Sequence, residues 1–426
     1  MDQTQDFWSG RNAQPIEPPE ELKWPGSLTR IPDWIYTDPR IYELEQQRIF
    51  QGRTWNYVAL ECQLPKPGDY IRSHVGAIPV VVARDAAGEI HVVENRCAHR
   101  GAEFCKTYSG NAKEFICPYH QWTYDLSGRL VGVPFRRGLR KEGGMPASFL
   151  MEEFSLRRLH VTRRGGVVFA SFRSDVEPLE DYLGPEILTD FDATFDGREL
   201  RLFGQYRNTL PGNWKLYHEN LKDPYHATLL HSYLVTFGLF VAGNKSAMIV
   251  DRSGRHGSLA SAKEEGGPPV GQDEKKEMLA FHDGMKLNDP RIIDYVREFN
   301  SPWSANMLTI WPNLIVQREL NTLGVRQLVP NGPNEFLMVW TMFGYADDSE
   351  EMIRHRLRQG NLMGPSGFLG FEDHEAIKFV QDGLRASVPR EGVALLEGEK
   401  EGTTNTIISE AAIRSMYRHY RETMGL

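Results

Sequence analysis

Four side chains able to bind a metal stand in two pairs within one short stretch of the sequence. Cys97 and His99 are separated by one residue and Cys117 and His120 by two, and 17 residues lie between the pairs. Each pair offers one thiolate and one imidazole, and such a mixed ligand set suits zinc or an iron–sulfur cluster. The C-x-H…C-x-x-H order favours a Rieske centre, in which two Cys hold one iron of a [2Fe–2S] unit and two His hold the other. A structural zinc ion is the alternative.

A second group of potential ligands lies in the segment from Asn213 to His231. His226 and His231 are five residues apart, and Asp223 precedes His226 by three. On an ideal helix five residues separate two side chains by about 140°, so both imidazoles can bind one metal only if the helix is distorted or ends between them. Two His and one carboxylate, with open positions opposite, form the non-haem iron(II) site that activates O2. Without a third ligand, the same residues are more commonly surface or helix-end groups.

The elements that must position these residues fall into three parts. Residues 1–40 are rich in Pro and aromatic residues and are expected to form an arm packed on the larger domain. Residues 41–160 contain short β-branched and aromatic segments separated by Gly and Pro, which predicts a small all-β domain with both Cys/His pairs in its loops. Residues 161–426 alternate strands with amphipathic helices, which predicts an antiparallel sheet flanked by helices and an α+β fold overall. The polar, Gly- and Pro-rich residues 259–275 are predicted to form a mobile loop.

Composition excludes several classes of partner. The 426 residues carry a formal net charge of −8, which argues against nucleic acid or an acidic membrane as a partner. The sequence contains no run near the roughly 20 apolar residues that a membrane span needs. Four Cys are too few for a disulfide framework, and the acidic, polar start of the sequence does not resemble a signal peptide. These features predict a cytoplasmic location.

The two motifs together resemble those of the large (alpha) subunit of Rieske non-haem iron aromatic-ring-hydroxylating oxygenases. C-x-H-x17-C-x2-H is similar to the Rieske motif of that family, and NWK…EN..D.YH....H, from Asn213 to His231, is similar to its mononuclear iron motif. The resemblance extends over nearly the whole chain. It implies a small Rieske domain followed by a catalytic iron domain.

The same resemblance implies two metal cofactors, a [2Fe–2S] cluster and a mononuclear Fe(II). The implied cluster ligands are Cys97, His99, Cys117 and His120. For the iron they are His226, His231 and a carboxylate in a segment similar to GFLGFEDHEAIKF. That carboxylate falls on Asp373, with the adjacent Glu372 as its competitor, because HEA resembles the helix start that follows the family carboxylate. The alternative role of Asp373 is a helix N-cap.

Two further residues acquire expected roles. The resemblance implies that Asp223 accepts a hydrogen bond from the second nitrogen of His226, which fixes the tautomer that binds iron. It also implies that Asp223 contacts a Rieske His of a neighbouring subunit, whereas the alternative is an exposed helix carboxylate. Asn220 is expected close to the open face of the iron, or else as a hydrogen-bonded core amide.

The resemblance implies a terminal oxygenase that hydroxylates or dihydroxylates an aromatic ring with O2 as co-substrate. Electrons would come from NADH through a flavin reductase, with or without a ferredoxin. The implied assembly is a trimer of alpha subunits, alone or with three small beta subunits. A Rieske electron-transfer protein without oxygenase activity and a zinc-containing structural protein are the rival interpretations.

Several phrases, among them VPFRRG and NLMGPSGFLGFED, look like the branch that oxidises aromatic carboxylates such as salicylate, anthranilate, 2-halobenzoate and terephthalate. A carboxylate in an apolar pocket needs a cationic anchor, and Arg binds carboxylates bidentately. Arg326 is the first candidate and Arg318 the second; eight residues apart, they would share one face of an unbroken strand. A salt bridge to a protein carboxylate is the alternative for each. A single anchor favours an ortho-substituted benzoate over terephthalate.

Overall fold

The computed structural model describes residues 16–140, 142–241, 244–262, 272–386, 388 and 390–426. Residues 1–15 of the predicted arm and residues 263–271 of the predicted mobile loop lie outside this part. The chain divides into two compact units. The first contains Phe50–Val176, and the second contains Glu17–Ile49 and Glu177–Leu426.

The strands of the described residues are, in chain order, β1 Arg30–Pro32, β2 Asn56–Leu60, β3 Asp69–Val75, β4 Ile78–Arg84, β5 Ile90–Glu94, β6 Ser109–Asn111, β7 Glu114–Ile116, β8 Thr123–Asp125, β9 Leu130–Gly132, β10 His160–Arg164, β11 Val167–Ser171, β12 Leu200–Leu210, β13 Ser246–Val250, β14 Gly257–Ser261, β15 Ala305–Ile310, β16 Leu314–Glu319, β17 Thr322–Pro330, β18 Phe336–Tyr345 and β19 Glu391–Val393. The α-helices are α1 Trp34–Thr37, α2 Pro39–Glu45, α3 Leu179–Thr194, α4 Trp214–Asn220, α5 Pro224–Leu230, α6 Ser232–Thr236, α7 Gln272–Glu277, α8 Glu350–Met363, α9 Phe368–Ala386 and α10 Ala411–Met424.

The first unit consists of three small antiparallel sheets. Their strand orders are β10–β11–β2, β5–β4–β3–β6 and β7–β8–β9. In β3 the alternate residues Ile71, Ser73 and Val75 are buried, which is the period of two expected of a strand with one face on a core. A hydrophobic cluster beneath the sheets includes Cys97 and Cys117. The predicted small all-β domain is therefore confirmed.

The second unit is built on a seven-stranded antiparallel sheet in the order β12–β18–β17–β16–β15–β14–β13. Helix α3 packs on β13, β14 and β15, and α4 and α8 pack on β17. β1 pairs with β19 in a separate two-stranded sheet. The predicted α+β class, with an antiparallel sheet flanked by helices, is confirmed. Among the described helices, none combines the length and the apolar character that crossing a bilayer requires.

Arg318 and Arg326 do not share a face of the sheet, so that expectation was wrong. The chain reverses after β16 at Leu320, whose φ is 54°, and Arg326 lies in the returning strand β17. Arg326 pairs with Ile315, whereas Arg318 pairs with Leu323. Because side chains alternate along each strand and paired residues point to the same face, the two arginines point to opposite faces.

Candidate metal centres and substrate cavity

The helix that carries His226 ends before His231. Asp223 caps the start of α5, where its Oδ1 accepts hydrogen bonds from the backbone N–H groups of Tyr225 at 3.0 Å and His226 at 3.3 Å. Pro224 follows at the first helical position, where its fixed φ suits the helix. His231 has non-helical φ and ψ of −86° and 87° and separates α5 from α6. This break satisfies the condition under which both imidazoles can face one point.

Asp373 meets both imidazoles from helix α9. Its Oδ1 lies 3.4 Å from His226 Nε2 and 3.3 Å from His231 Nε2. One ligand atom from each of the three side chains lies within 4.8 Å of the others. Asp373 is the sixth residue of α9, so it does not cap the helix. Two His and one carboxylate converging in this way match the donor set of a facial non-haem iron site.

Electrostatics at this cluster favour a bound cation. Burial lowers the pKa of His226, but Asp223 and Asp373 outweigh it and raise that pKa to about 10. Burial likewise opposes charge on His231, yet Asp373 and Glu372 raise its pKa to about 9. Burial tends to raise the pKa of Asp373, whereas the two imidazoles hold it well below its ordinary value. The three carboxylates thus create a site of strong negative potential, which a divalent cation could neutralise in place of protons.

The outer nitrogen of each imidazole faces another carboxylate. His231 Nδ1 donates a hydrogen bond to Glu372 Oε2 at 2.8 Å, which leaves Nε2 free for a metal. His226 Nδ1 lies 3.4 Å from Asp223 Oδ2, an ion-pair contact longer than a well-formed hydrogen bond. Glu372, the competitor of Asp373, therefore contacts the back of a His rather than the centre of the cluster.

Asn220 lies at the centre of the cluster, at the end of α4. Its Nδ2 donates to Asp373 Oδ1 at 3.0 Å and lies 3.2 Å from His226 Nε2. Its Oδ1 is buried without a hydrogen-bond partner in the described part of the chain. A half-turn of the amide would direct this oxygen toward the position of a cation.

A cavity opens beside the cluster and is mostly apolar. Its lining includes Leu234, Phe240, Leu259, Met307 and Leu369, together with two charged residues of the sheet. Those two residues are Arg326 and Glu319. An apolar cleft with a few fixed polar groups is the usual form of a small-molecule site.

Arg326 is a buried cation whose contacts among the described residues are with uncharged side chains. The side chain is 4% exposed, its guanidinium carbon lies 3.9 Å from the ring centroid of Trp340, and Nη1 donates to Tyr217 Oη at 2.5 Å. Its Nε is buried without a partner, and it forms no ion pair with a carboxylate of the described residues. The salt-bridge alternative therefore does not apply to Arg326.

Arg318 points away from the cavity. Its Nη2 donates to Ser301 Oγ at 3.0 Å and its Nη1 lies 3.4 Å from the carbonyl oxygen of Trp303. It is not among the described residues that line the cavity. The structure therefore gives no support to Arg318 as a substrate anchor.

Glu319 is a cavity residue that sequence reasoning missed. It is the last residue of β16 and points to the same face of the sheet as Arg326. Ile315 pairs with Arg326, and Glu319 follows Ile315 by four residues, an even number, so both side chains of β16 point to that face. Burial raises the pKa of Glu319 above its ordinary value, and Arg326 partly offsets this rise. The alternation of side chains along the two strands could have predicted this shared face, but only if the position of the turn at Leu320 had been known.

The four predicted cluster ligands lie in two similar loops of the first unit, one with Cys97 and His99 and the other with Cys117 and His120. The N–H of Cys97 donates to Ala102 O and that of Cys117 donates to Trp122 O, at 2.9 and 2.8 Å. Both cysteines are buried, at 2% and 1% exposure. The rings of His99 and His120 reach the surface with centroids 4.5 Å apart.

This arrangement fits a two-iron cluster better than one zinc ion. A tetrahedral zinc with bonds of about 2.0–2.3 Å would hold all four ligand atoms within about 4 Å of one another. In the described residues, no three atoms of this Cys/His set converge within 4.8 Å. Two buried thiolates, one exposed imidazole (His99) and one half-buried imidazole (His120) would instead suit a [2Fe–2S] unit, in which the two Cys hold one iron and the two His the other.

Aromatic residues that the sequence did not single out surround this set. Trp122 stacks on His99 with ring centroids 4.7 Å apart and planes inclined by 5°. The hydroxyl of Tyr124 lies 3.2 Å from Cys97 Sγ. These contacts fix the orientation of one imidazole and place a hydrogen-bond donor on one thiolate.

Comparison with known proteins gives matches along nearly the whole chain. Residues 54–142 match the family of the Rieske [2Fe-2S] domain, and residues 197–426 match the ring hydroxylating alpha subunit (catalytic domain). The chain is 45% identical to the large oxygenase component of salicylate 5-hydroxylase from Ralstonia sp., covering 96% of this chain and 97% of that protein. It is 40% identical to the terephthalate 1,2-dioxygenase terminal oxygenase component subunit alpha 2 of Comamonas sp., with coverages of 95% and 98%.

A third relative is the anthranilate 1,2-dioxygenase large subunit of Burkholderia cepacia, 39% identical over 93% of this chain and 94% of that protein. Among solved structures, naphthalene 1,2-dioxygenase from Rhodococcus sp. superimposes with a TM-score of 0.76 at 23% identity, covering 93% of this chain and 94% of that one. At this identity the structural likeness shows the fold alone.

Proposed function

This chain belongs to the ring-hydroxylating oxygenases as their large (alpha) subunit, and from this we propose that it hydroxylates the ring of an aromatic monocarboxylate. The predicted family, oxygenase class and cofactors, namely a [2Fe–2S] cluster, mononuclear iron and O2 as co-substrate, are confirmed. The interpretations as a zinc protein or as a mere electron carrier are thereby set aside.

The observation that supports a carboxylate substrate is the buried guanidinium of Arg326. A buried cation without a counter-ion is costly, and this one lines the cavity beside His226, His231 and Asp373. A substrate carboxylate would neutralise it and accept its free N–H groups. Trp340 holds the guanidinium from one side, so the bound ring would be oriented with respect to the three ligands.

The proposed metal ligands are those that the motifs suggest. For the [2Fe–2S] cluster they are Cys97, His99, Cys117 and His120, and for the iron they are His226, His231 and Asp373. When bound, the cluster would supply single electrons and the iron would activate O2. Glu372 keeps the proton of His231 on Nδ1, and Asp223 does the same for His226 by a longer contact. Asn220 is proposed to lie on the open side of the iron.

Asp223 is also proposed to contact a Rieske His of a neighbouring alpha subunit. Its Oδ1 is engaged in capping α5, and its side chain is 25% exposed, so it combines contact to His226 with access from outside. The arrangement proposed is a trimer of alpha subunits, with or without small beta subunits. The relatives are named as large components or alpha subunits, which supports further protein partners.

The electron donor is proposed to be NADH, through a flavin reductase with or without a ferredoxin. A cytoplasmic location is proposed because four cysteines are too few for a disulfide framework and an iron–sulfur cluster suits a reducing compartment. The domain limits proposed from the sequence are an arm at 1–40, a Rieske domain at 41–160 and a catalytic domain at 161–426.

Within aromatic carboxylates, we favour an ortho-substituted benzoate such as salicylate, anthranilate or a 2-halobenzoate. Arg326 is the one Arg or Lys among the described residues lining the cavity, whereas terephthalate carries two carboxylates to be neutralised. A terephthalate-type activity is the second candidate, supported by the 40% identity to a terephthalate dioxygenase subunit.

Oxygen uptake with product identification tests the proposed function. The holoenzyme, supplied with NADH and a surrogate reductase, would be offered ortho-substituted benzoates, terephthalate and the uncharged amides of the same acids. Hydroxylated product coupled to O2 uptake is expected with the monocarboxylates. Equal turnover of acids and amides would overturn the carboxylate assignment.

A further inference from the structure

We propose that Glu319 is a specificity-determining residue, which accepts a hydrogen bond from a hydroxyl or amino group ortho to the substrate carboxylate and excludes rings with a second carboxylate at that ortho position. This inference rests on the proposed function, because it takes the substrate to be an aromatic acid anchored at Arg326. It divides that class into rings with an ortho hydrogen-bond donor and rings without one.

The first support is placement. Glu319 and Arg326 belong to one hairpin, β16–β17, and point from the same face of the sheet into the same cavity. Hydrogen-bonded pairing in the sheet fixes the positions of the two backbones from which these side chains extend. Arg326 pairs with Ile315, and Glu319 lies four residues further along β16, so both long side chains extend over the same stretch of the cavity. In the proposed pose, the carboxylate of an aromatic acid lies on Arg326 and its ortho substituent faces Glu319.

The second support is the set of hydrogen bonds around Glu319. The side-chain amide of Gln317 donates to Glu319 Oε2 and also to the carbonyl oxygen of Met363 at 2.6 Å. Oε1 of Glu319 has no donor among the described residues, and the side chain forms no ion pair with Arg326. One carboxylate oxygen is thus fixed by the protein, while the other remains available to a ligand.

The third support is complementarity. In 2-hydroxybenzoate and 2-aminobenzoate a carboxylate and a donor stand on adjacent ring atoms, which matches a cavity with one cation and one available acceptor. A hydrogen or halogen at that position would leave the acceptor of a partly buried carboxylate unsatisfied. A second carboxylate on the same adjacent ring atom, as in benzene-1,2-dicarboxylate, would meet Glu319 with like charge, which is repulsive at short range in an apolar cavity.

Glu319→Gln tests the assignment with little change in volume. Because Gln317 needs an acceptor, the new amide would turn its oxygen to Gln317 and present its NH2 group to the substrate. Binding of 2-hydroxybenzoate, 2-aminobenzoate, 2-fluorobenzoate, benzoate and benzene-1,2-dicarboxylate to the anaerobic holoenzyme would be measured by calorimetry. We expect the wild type to prefer the two donor-bearing acids about tenfold or more, as for a hydrogen bond to a charged group.

In the Glu319→Gln protein this preference should fall to about twofold or less, and benzene-1,2-dicarboxylate should bind more tightly than to the wild type. Glu351→Gln, a substitution of an exposed carboxylate on α8, is the matched control and should leave every affinity unchanged. Equal losses for all five acids in Glu319→Gln, or a preference that survives the substitution, would overturn the role of Glu319.

Two comparisons keep the outcome decisive. If the Glu319→Gln protein loses its metal centres, the test relies on the wild type alone. The measured quantity is then the ratio of its affinities for 2-hydroxybenzoate and for 2-fluorobenzoate, which lacks a donor. Equal affinities overturn the inference. Comparing the affinities of the wild type for benzoate and benzamide separates the test of the carboxylate anchor from the test of Glu319. A wild type that does not distinguish them refutes the carboxylate anchor, whereas a wild type that prefers benzoate but ignores the ortho donor refutes the role of Glu319 alone.

Discussion

Glu372 and Asp373 are neighbours in the chain but contact opposite nitrogens of His231. Glu372 Oε2 accepts from Nδ1 at 2.8 Å, and Asp373 Oδ1 lies 3.3 Å from Nε2. Successive residues of a helix point about 100° apart, so one turn of α9 can reach both edges of a single imidazole. The two carboxylates that the sequence left as competitors for one role therefore have two different roles.

Glu372→Gln should weaken the hold of the protein on mononuclear iron. The neutral amide no longer stabilises the Nδ1–H tautomer of His231, and loss of such a partner typically lowers metal affinity about 10–100-fold. Iron retained after dialysis against a chelator measures the effect, while the visible absorbance of the [2Fe–2S] cluster should not change. Glu375→Gln, on the exposed side of the same helix, is the control, and equal retention in both variants would contradict the role of Glu372.

Asp223→Asn should keep both metal centres loaded but lower turnover by about 100-fold. Asn caps helices as well as Asp does, so α5 should remain in place, while the negative charge beside His226 Nδ1 is lost. Iron content and cluster absorbance would be measured beside oxygen uptake. A variant with wild-type turnover would show that this carboxylate is not needed between the two centres.

Arg326→Leu should raise the KM for a benzoate about 100-fold or more, as expected for loss of a buried charged hydrogen bond. The KM for the corresponding uncharged amide should change far less. Arg318→Met is the control, because Arg318 points to the opposite face of the sheet, and it should leave the ratio of the two KM values unchanged. Equal effects of Arg326→Leu on acid and amide would remove the anchor role.

Tyr124→Phe should lower the reduction potential of the [2Fe–2S] cluster. The Tyr124 hydroxyl lies 3.2 Å from Cys97 Sγ, and hydrogen bonds to cluster sulfurs set the potential together with charge and exposure. A redox titration followed by electron paramagnetic resonance measures the shift. Tyr119→Phe, at an exposed tyrosine of the loop between Cys117 and His120, should leave the potential as in the wild type. An unshifted potential in Tyr124→Phe would exclude the contact as a determinant.

The metal sites and the family could be predicted from the sequence mainly because of the types and the spacing of the potential ligands. The pairs around Cys97 and Cys117 and the segment ending at His231 contain residues whose chemistry restricts the choice of metal, and the family resemblance follows from them. The break of α5 was required by the spacing of His226 and His231, and the helix ends where that requirement places it.

The cavity was harder to predict because it depends on register. The β16–β17 hairpin turns at Leu320 and Asn321. Leu320 adopts a positive φ although it is not glycine, so Asn321 is the one usual turn residue at this position, and the next glycine, Gly324, lies inside β17. When the position of the turn is unknown, Arg318 and Arg326 are predicted to lie on the same face of a single strand, and the face to which Glu319 points cannot be predicted. A shift of one residue in register exchanges the two faces of a strand.

The cavity draws its two kinds of functional residue from different layers of the second unit. His226 and Asp373 project from helices and His231 from the break between α5 and α6, whereas Arg326 and Glu319 project from one hairpin of the sheet. Substitutions in that hairpin can therefore alter which ring is accepted without disturbing the atoms that hold iron. Proteins that diverge from such an ancestor can therefore change their substrate while they keep the same oxidation reaction, and we expect the responsible substitutions in the β16–β17 hairpin.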